Sequence, residues 1–331
     1  MNQLIVSATP TLDRSDWNHL TRQAASWYGT PGHCLLYSFS ATEWIALWRN
    51  ESTEPTAACF GSTGSWLRIG RFLRLNGPTT ASFSMLKQLM AGKGAQLLAI
   101  PLIAGPGRTV SLPWWRGAVL SSPSDWVVEL PATYAEYLER LGKTSRNHLT
   151  AYARGFERTV ASRLSILEGA DISLELVAAL ADLHRQRMEK AEKKVTLTRE
   201  KIRQRAQLAQ ECGLFCGRWV EDRLIGGTLN YFHGPMVYLS LVAHDPRYDD
   251  RHGGLVCLLD TIRYLIEKGI SAYNFHYRYS PFKTRMGGKE REHHGEILFA
   301  NAAVALLWHT AKLARGVQRR VRRIRQTILQ P

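Results

Sequence analysis

Two stretches of this 331-residue chain combine side chains and glycines in patterns that chemistry can use. The first is Leu241-Val-Ala-His-Asp-Pro-Arg-Tyr-Asp-Asp-Arg-His-Gly-Gly-Leu255. An apolar run of strand type gives way to a polar turn, and Gly253–Gly254 then opens a helical pattern. Such a helix start offers free backbone N–H groups and the positive end of the helix dipole, to which Arg251 adds charge, and a pyrophosphate suits that setting. The same two glycines also serve where a strand and a helix pack closely, so both readings stand at this point. The second stretch is Tyr273-Asn-Phe-His-Tyr-Arg-Tyr-Ser-Pro-Phe-Lys-Thr-Arg-Met-Gly287. His276, a residue type whose ordinary pKa lies near neutrality, is either a proton carrier, a substrate contact or a satisfied core residue, and His244 is a second base candidate at the preceding strand's end. Lys283 and Arg285 either hold an anionic substrate group or pair with a carboxylate. Cys212-x-x-x-Cys216 and His293–His294, the latter between Glu292 and Glu296 on an expected polar loop, lack the paired spacing of metal ligands, so no metal is expected.

The elements that must carry these groups follow from periodicity. Leu214–Val220, Leu224–Phe232 and Met236–Ala243 read as a meander separated by the turns Glu221–Arg223 and His233–Pro235. A helix then runs from Gly253–Gly254 to Lys268–Gly269 with Leu255, Leu258, Leu259, Ile262, Leu265 and Ile266 on one face, and the strand Ala272–Tyr277 follows. Strand, loop, helix, strand implies parallel pairing around the helix. Four helical patterns precede the meander, beginning at the Thr133/Glu136 capping pair, near Thr144 or Ser145, near Ser173 and near residue 198. Residues 33–130 read as the strands Cys34–Phe39, Trp44–Arg49, Trp66–Leu75 and Gln96–Ile103 with a helix over Ser82–Ala91, closed by a proline-punctuated boundary near 130. No strict internal repeat is visible.

The formal net charge is +15. It is concentrated: residues 1–130 carry +3, whereas 143–163, 185–205 and 312–331 carry +4, +6 and +7, and the rest of the second half is acidic. That excludes a protein uniformly coated for nucleic acid. Arg185–Lys194 reads as a solvated helix end. The last segment places Leu313, Val317, Val321, Ile324 and Ile328 on one stripe among arginines, which suits either an anionic membrane surface or the protein's own core. Five scattered cysteines fit a reducing compartment, and the first residues lack a secretory leader, so a cytoplasmic location is expected.

The order of meander, strand, glycine loop, helix and strand resembles the GNAT acyltransferase core. Within the second stretch, Phe275, Lys283, Arg285 and Gly287 resemble the signature of the CelD-type branch associated with cellulose and other exopolysaccharide biosynthesis, as does the basic stretch Lys143–Arg158. The resemblance covers about 131–310 well and 30–130 loosely. It implies a mixed-sheet α/β protein of tandem GNAT-like domains: a degenerate domain over 1–130, the acyltransferase domain over 131–311, and a basic amphipathic helix over 312–331. It implies acetyl-CoA or another acyl-CoA as co-substrate and direct attack of an amine of a sugar or similar small acceptor on the thioester. Leu241 and Val242 would pair with the pantetheine arm, and Arg251, His252, Gly253 and Gly254 would meet the phosphates. His276 would take the proton, Tyr279 would protonate the leaving thiolate, and Lys283, Arg285 and Arg146 would bind the acceptor. The pattern's acidic positions are occupied by Asn274, Arg278, Tyr279 and Ser280, and its tyrosine by Phe282. Two alternatives follow: Fem-like aminoacyl transfer with tRNA on the basic helix 145–161, or a catalytically inactive protein of the membrane surface.

Overall fold

The computed structural model describes residues 3–7, 14–23, 44–51, 55–66, 70–75, 81–104, 116–121, 124–193, 197–277 and 279–313. In chain order these form β1 (Gln3–Ser7), α1 (Arg14–Gln23), β2 (Trp44–Arg49), β3 (Pro55–Trp66), β4 (Gly70–Leu75), α2 (Phe83–Gly92), β5 (Ala95–Ala104), β6 (Arg116–Ser121) and β7 (Asp125–Glu129). There follow α3 (Tyr134–Arg140), α4 (Lys143–Thr159), β8 (Arg163–Glu168), α5 (Leu174–Lys190), α6 (Arg199–Cys212), β9 (Gly213–Val220), β10 (Arg223–His233) and β11 (Met236–His244). The last are α7 (Gly253–Glu267), β12 (Ala272–Tyr277), α8 (Pro281–Arg285), β13 (Lys289–Arg291) and β14 (His293–Phe299), and residues 302–313 are helical.

The chain divides into two compact units, one of Met1–Ser122 with His293–Pro331, the other of Pro123–Glu292. The expected boundaries at 130 and 311 differ from these because β7 and β14 each pair outside the segment that the proline pattern assigns them to. β14 lies between β5 and β6 in the first sheet, and β7 lies between β12 and β13 in the second. His293–His294, expected on a polar loop, therefore opens a strand instead.

Among the described residues each unit has one seven-stranded mixed sheet, ordered β1-β2-β3-β4-β5-β14-β6 in the first and β8-β9-β10-β11-β12-β7-β13 in the second. In both, a four-stranded antiparallel meander leads through a crossover helix to a parallel strand, and antiparallel strands complete the far edge. The sequence shows no repeat, yet the topology repeats. The pattern is carried by burial alone: Trp48, Leu73 and Leu98 of the first sheet pack against Leu86, Leu89 and Met90 of α2, as Val237, Leu239 and Tyr273 of the second pack against Leu258, Leu259, Ile262 and Leu265 of α7. Such large aliphatic faces drive each layer together through the area they remove from water.

Local signals set the helix starts. Thr133, Ser173 and Thr198 accept hydrogen bonds from the N–H groups of Glu136, Leu176 and Lys201, as N-caps do. The basic helix starts at Lys143 behind Gly142, which has no side-chain cap bond, rather than at Thr144 or Ser145. Strand β8 interrupts the four expected helices: its six residues are all at least partly exposed at the sheet edge, so they carry little burial pattern. The expected strand Trp66–Leu75 is two strands, Trp66 ending β3 and Gly70 starting β4. Cys34–Phe39 and the tail from residue 314 onward lie outside the described residues.

Candidate active site

Within the second unit the parallel partners β11 and β12 stay together for only three residue pairs, Met236↔Ala272, Val237↔Tyr273 and Tyr238↔Asn274. Both strands continue beyond that point, β11 to His244 and β12 to Tyr277. Two features turn them apart. β11 bulges at Ser240, since Leu229 faces Leu241 while Asn230 faces Leu239. β12 breaks register between Asn274 and Tyr277, where His276 adopts φ 58°. The carboxyl ends of two adjacent strands thus part inside a sheet, the position at which open α/β sheets take their ligands.

The left-handed backbone of His276 costs about 1–2 kcal/mol for a residue with a Cβ, so its surroundings must hold it. Asn274 Oδ1 accepts the His276 N–H at 2.7 Å. Lys283 Nζ donates to the carbonyls of Phe275, His276 and Tyr277 at 2.7, 2.9 and 3.0 Å. All three ammonium hydrogens are therefore committed to backbone, and Lys283 is a positioning residue rather than an anion binder. Burial pushes its pKa down to about 8, against the pull of Asp125. Phe275 lies edge-on to Tyr273 and Phe282, and Gly287 turns at φ 82° where an added Cβ would meet Leu141 at 2.9 Å. The motif residues Phe275, Lys283 and Gly287 build the strand end that presents His276.

Burial pushes the His276 imidazole down to about 4, against the charge of Asp125, so the ring is neutral at physiological pH. Asp125 answers a question that the sequence leaves open. The acidic positions of the resembled pattern are empty, yet β7 brings Asp125, 1 % exposed, to Asn274, whose Nδ2 donates to its Oδ2 at 2.8 Å. Its signal in the sequence is only a carboxylate at one end of a short strand that carries another, Glu129, at its other end, with its partner 149 residues away. Tyr279, 67 % exposed, lies edge-on to Trp126 with ring centroids 5.4 Å apart.

At the far end of β11, His244 Nε2 and Asp249 Oδ1 are 2.7 Å apart, and Lys190 Nζ donates to the other carboxylate oxygen at 2.6 Å. Burial holds the His244 ring below the usual imidazole range despite Asp249. Its Nδ1 has no hydrogen-bond partner among the described residues, and a Cβ at Gly254 would come within 2.8 Å of it, so this glycine is required by close approach. His252 caps α7 at φ 56°, its carbonyl accepts the N–H groups of Leu255 and Val256, and those of Gly253 and Gly254 open the helix. The His252 ring lies 3.7 Å from that of Tyr152 of α4, and burial and then Arg285 lower its pKa. Arg251 is exposed beside this helix start, and Arg146 is half-buried in the first turn of α4. Leu241 is buried in β11 opposite Leu229, and Val242 is half-buried beyond the last parallel pair. Among the described residues no three His, Cys, Asp or Glu side chains group as metal ligands, and burial raises the Cys212 and Cys216 thiols to about 12.

The comparisons with known proteins agree with this architecture. Residues 143–284 match the family model described as an acetyltransferase (GNAT) domain. The fold of the FemX crystal structure, 8% identical, covers 92% of this chain and 99% of that one with a TM-score of 0.64. The C-terminal domain of a putative lysylphosphatidylglycerol synthetase from Agrobacterium fabrum, 12% identical, covers 90% and 95% with a TM-score of 0.55. L-PGS from Bacillus licheniformis, 13% identical, covers 78% and 84% at 0.52. No curated protein matches the chain in sequence. The chain is an acyltransferase. Within it, residues 143–284 match the model of an acetyltransferase (GNAT) domain.

Proposed function

We propose that the second unit transfers an acyl group from acyl-CoA, acetyl-CoA in the simplest case, to the amine of a sugar or similar small acceptor. The observation that carries this reading is the parting of β11 from β12 after Tyr238↔Asn274, beside the helix start at Gly253–Gly254. The edge of β11 beyond its last parallel pair offers backbone partners to the amides of a pantetheine arm along Leu241 and Val242, as a peptide is taken by strand addition. The N–H groups of Gly253 and Gly254, with Arg251, His252 and Arg285, receive the pyrophosphate. The amine nitrogen attacks the thioester carbon, the C–S bond breaks, and the coenzyme leaves as thiolate. His276, neutral and steadied by Asp125, accepts the proton lost from nitrogen, and Tyr279 supplies one to sulfur. His244 serves the helix start through Asp249 rather than the proton transfer.

The signature residues Phe275, Lys283, Arg285 and Gly287 support a CelD-like role in exopolysaccharide biosynthesis in the cytoplasm, with residues 312–331 as a peripheral contact to anionic membrane. The test is titration of the full chain with acetyl-CoA. Thermal stabilisation and thiol release in the presence of an amino sugar are expected; absence of both overturns the reading.

A second reading, Fem-like transfer from aminoacyl-tRNA, is favoured by the nearly complete coverage of FemX and by the arginines of α4, of which Arg154 and Arg158 are exposed. Ribonuclease sensitivity of the transfer separates the two.

A further inference from the structure

One turn of α5 departs from the solvated helix end that its charge pattern suggests. Arg185 is exposed and pairs with Asp182 and Glu189, and Lys190 is exposed and pairs with Asp249. Arg187 is different. It is half-buried, its Nε is closed off from solvent without a hydrogen-bond partner, and its guanidinium forms no ion pair or hydrogen bond with the described residues. Asp249 is the carboxylate that acts on it electrostatically, but the oxygens of that carboxylate are taken by Lys190 and His244 at 2.6 and 2.7 Å. One turn earlier, on the same helix face, His184 hydrogen-bonds the backbone of Val242 and leaves Nδ1 buried and unpartnered. A ring that donates through Nε2 keeps a bare lone pair on Nδ1.

A cationic donor and a neutral acceptor therefore stand near each other on α5, the acceptor bonded to Val242 in the part of β11 that has left its parallel partner. Arg187 Nε and His184 Nδ1 lose hydration without gaining a partner among the described residues, a cost that natural proteins rarely carry without use. Burial lowers the pKa values of both side chains, in keeping with that loss.

We propose that Arg187 and His184 form the acceptor subsite, with Arg187 taking an anionic oxygen of the acceptor, carboxylate or phosphate, while His184 Nδ1 accepts a hydrogen from its amine. The acceptor class is thus an amine that carries an acidic group, and the assignment rests on the acyl-transfer reading. A donor phosphate has the same chemistry as an acceptor anion, so the test separates the two sources.

Thermal melting of the full chain is measured with inorganic phosphate, glucosamine 6-phosphate and glucosamine, each with and without saturating coenzyme A. Phosphate and glucosamine 6-phosphate are expected to raise the wild-type melting temperature, glucosamine much less, and coenzyme A is expected to leave those responses in place. Arg187→Met is expected to melt a few degrees above the wild type without ligand, because an unpartnered charge is gone, and to lose both responses. Arg187→Gln provides the same loss of response if the Met variant folds poorly. An absent wild-type response, or one unchanged in the variants, overturns the subsite. Abolition of the response by coenzyme A, together with weakened coenzyme binding in the variants, assigns the anion to the donor and equally overturns it. An Arg187-dependent phosphate response in a chain that does not bind coenzyme A supports the anion subsite and sinks the acyl-CoA reading instead.

Discussion

In the first unit the parallel pair is closed: β4 and β5 run from Arg71↔Ala95 to Arg74↔Ala99, and β4 ends one residue later at Leu75. In the second unit the corresponding pair parts after Tyr238↔Asn274, and β11 continues six residues further. The crossover helices differ to match. α2 begins behind Ser82, whose hydroxyl accepts the N–H of Met85, so its cap is supplied from within. α7 begins behind a left-handed His252 with no side-chain cap and two buried glycines. On the proposed reading, a shared topology serves as scaffold in one unit and as a binding joint in the other. The difference lies in a bulge at Ser240, a strained His276 and an uncapped helix, which are local departures from regularity.

The largest effect expected concerns how α7 is fixed to its sheet. Arg218 of β9 meets Asp260 of α7 at 2.7 Å with both side chains buried, whereas α2 rests on its sheet through apolar packing. Asp260→Ala should destabilise the second unit by about 3 kcal/mol, because it takes the buried carboxylate from a guanidinium that keeps only the half-exposed Glu157 at 2.6 Å and the Ser162 hydroxyl. Urea unfolding that shows a smaller loss than in a Leu86→Ala variant of the first unit would reverse this contrast. Next is the helix start. Gly254→Val drives a side chain into His244 and should cost about 1–3 kcal/mol of overpacking while abolishing acetyl-CoA stabilisation. Ser82→Ala at the other helix should cost about 1 kcal/mol and leave acetyl-CoA binding intact. Calorimetric titration of both variants decides whether only one helix start is a ligand site.

The smallest effect is a slope. An unfolded imidazole takes up its proton near 6.5, whereas that of His276 does so at about 4. Between those values the unfolded state binds more protons, so stability falls as pH drops through this window. His276→Asn, a residue that tolerates positive φ, should flatten that fall. Equal slopes for variant and wild type between pH 7 and 4 would remove His276 from the account.

The meander, the crossover helix and the parallel strand are legible because their burial follows simple periods: Leu258, Ile262 and Leu265 mark one helix face, and β9 to β12 match the expected strands within a residue or so at each end. Of the site, Gly253, Gly254 and His276 stand out by type and position. Asp125 does not, because pairing of β7 with β12 is a long-range event that leaves no local mark. Lys283 illustrates the opposite case: a cation in a motif suggests a ligand, but the folded chain sets three of its own carbonyls around its nitrogen. Arg187 is hidden in the same way, since a charge run of alternating sign looks alike whether or not one member turns inward.

The placement of β14 carries a consequence for how the protein is made. The second unit has all its strands once the chain reaches Glu292, whereas the first still lacks the strand that fills its sheet between β5 and β6. On the ribosome the N-terminal half is therefore the later one to finish. Until His293–Phe299 emerges, the facing edges of β5 and β6 remain unsatisfied backbone, exposed to any passing strand. A ribosome stalled within the second unit would release a chain that is sticky at its beginning rather than at its end.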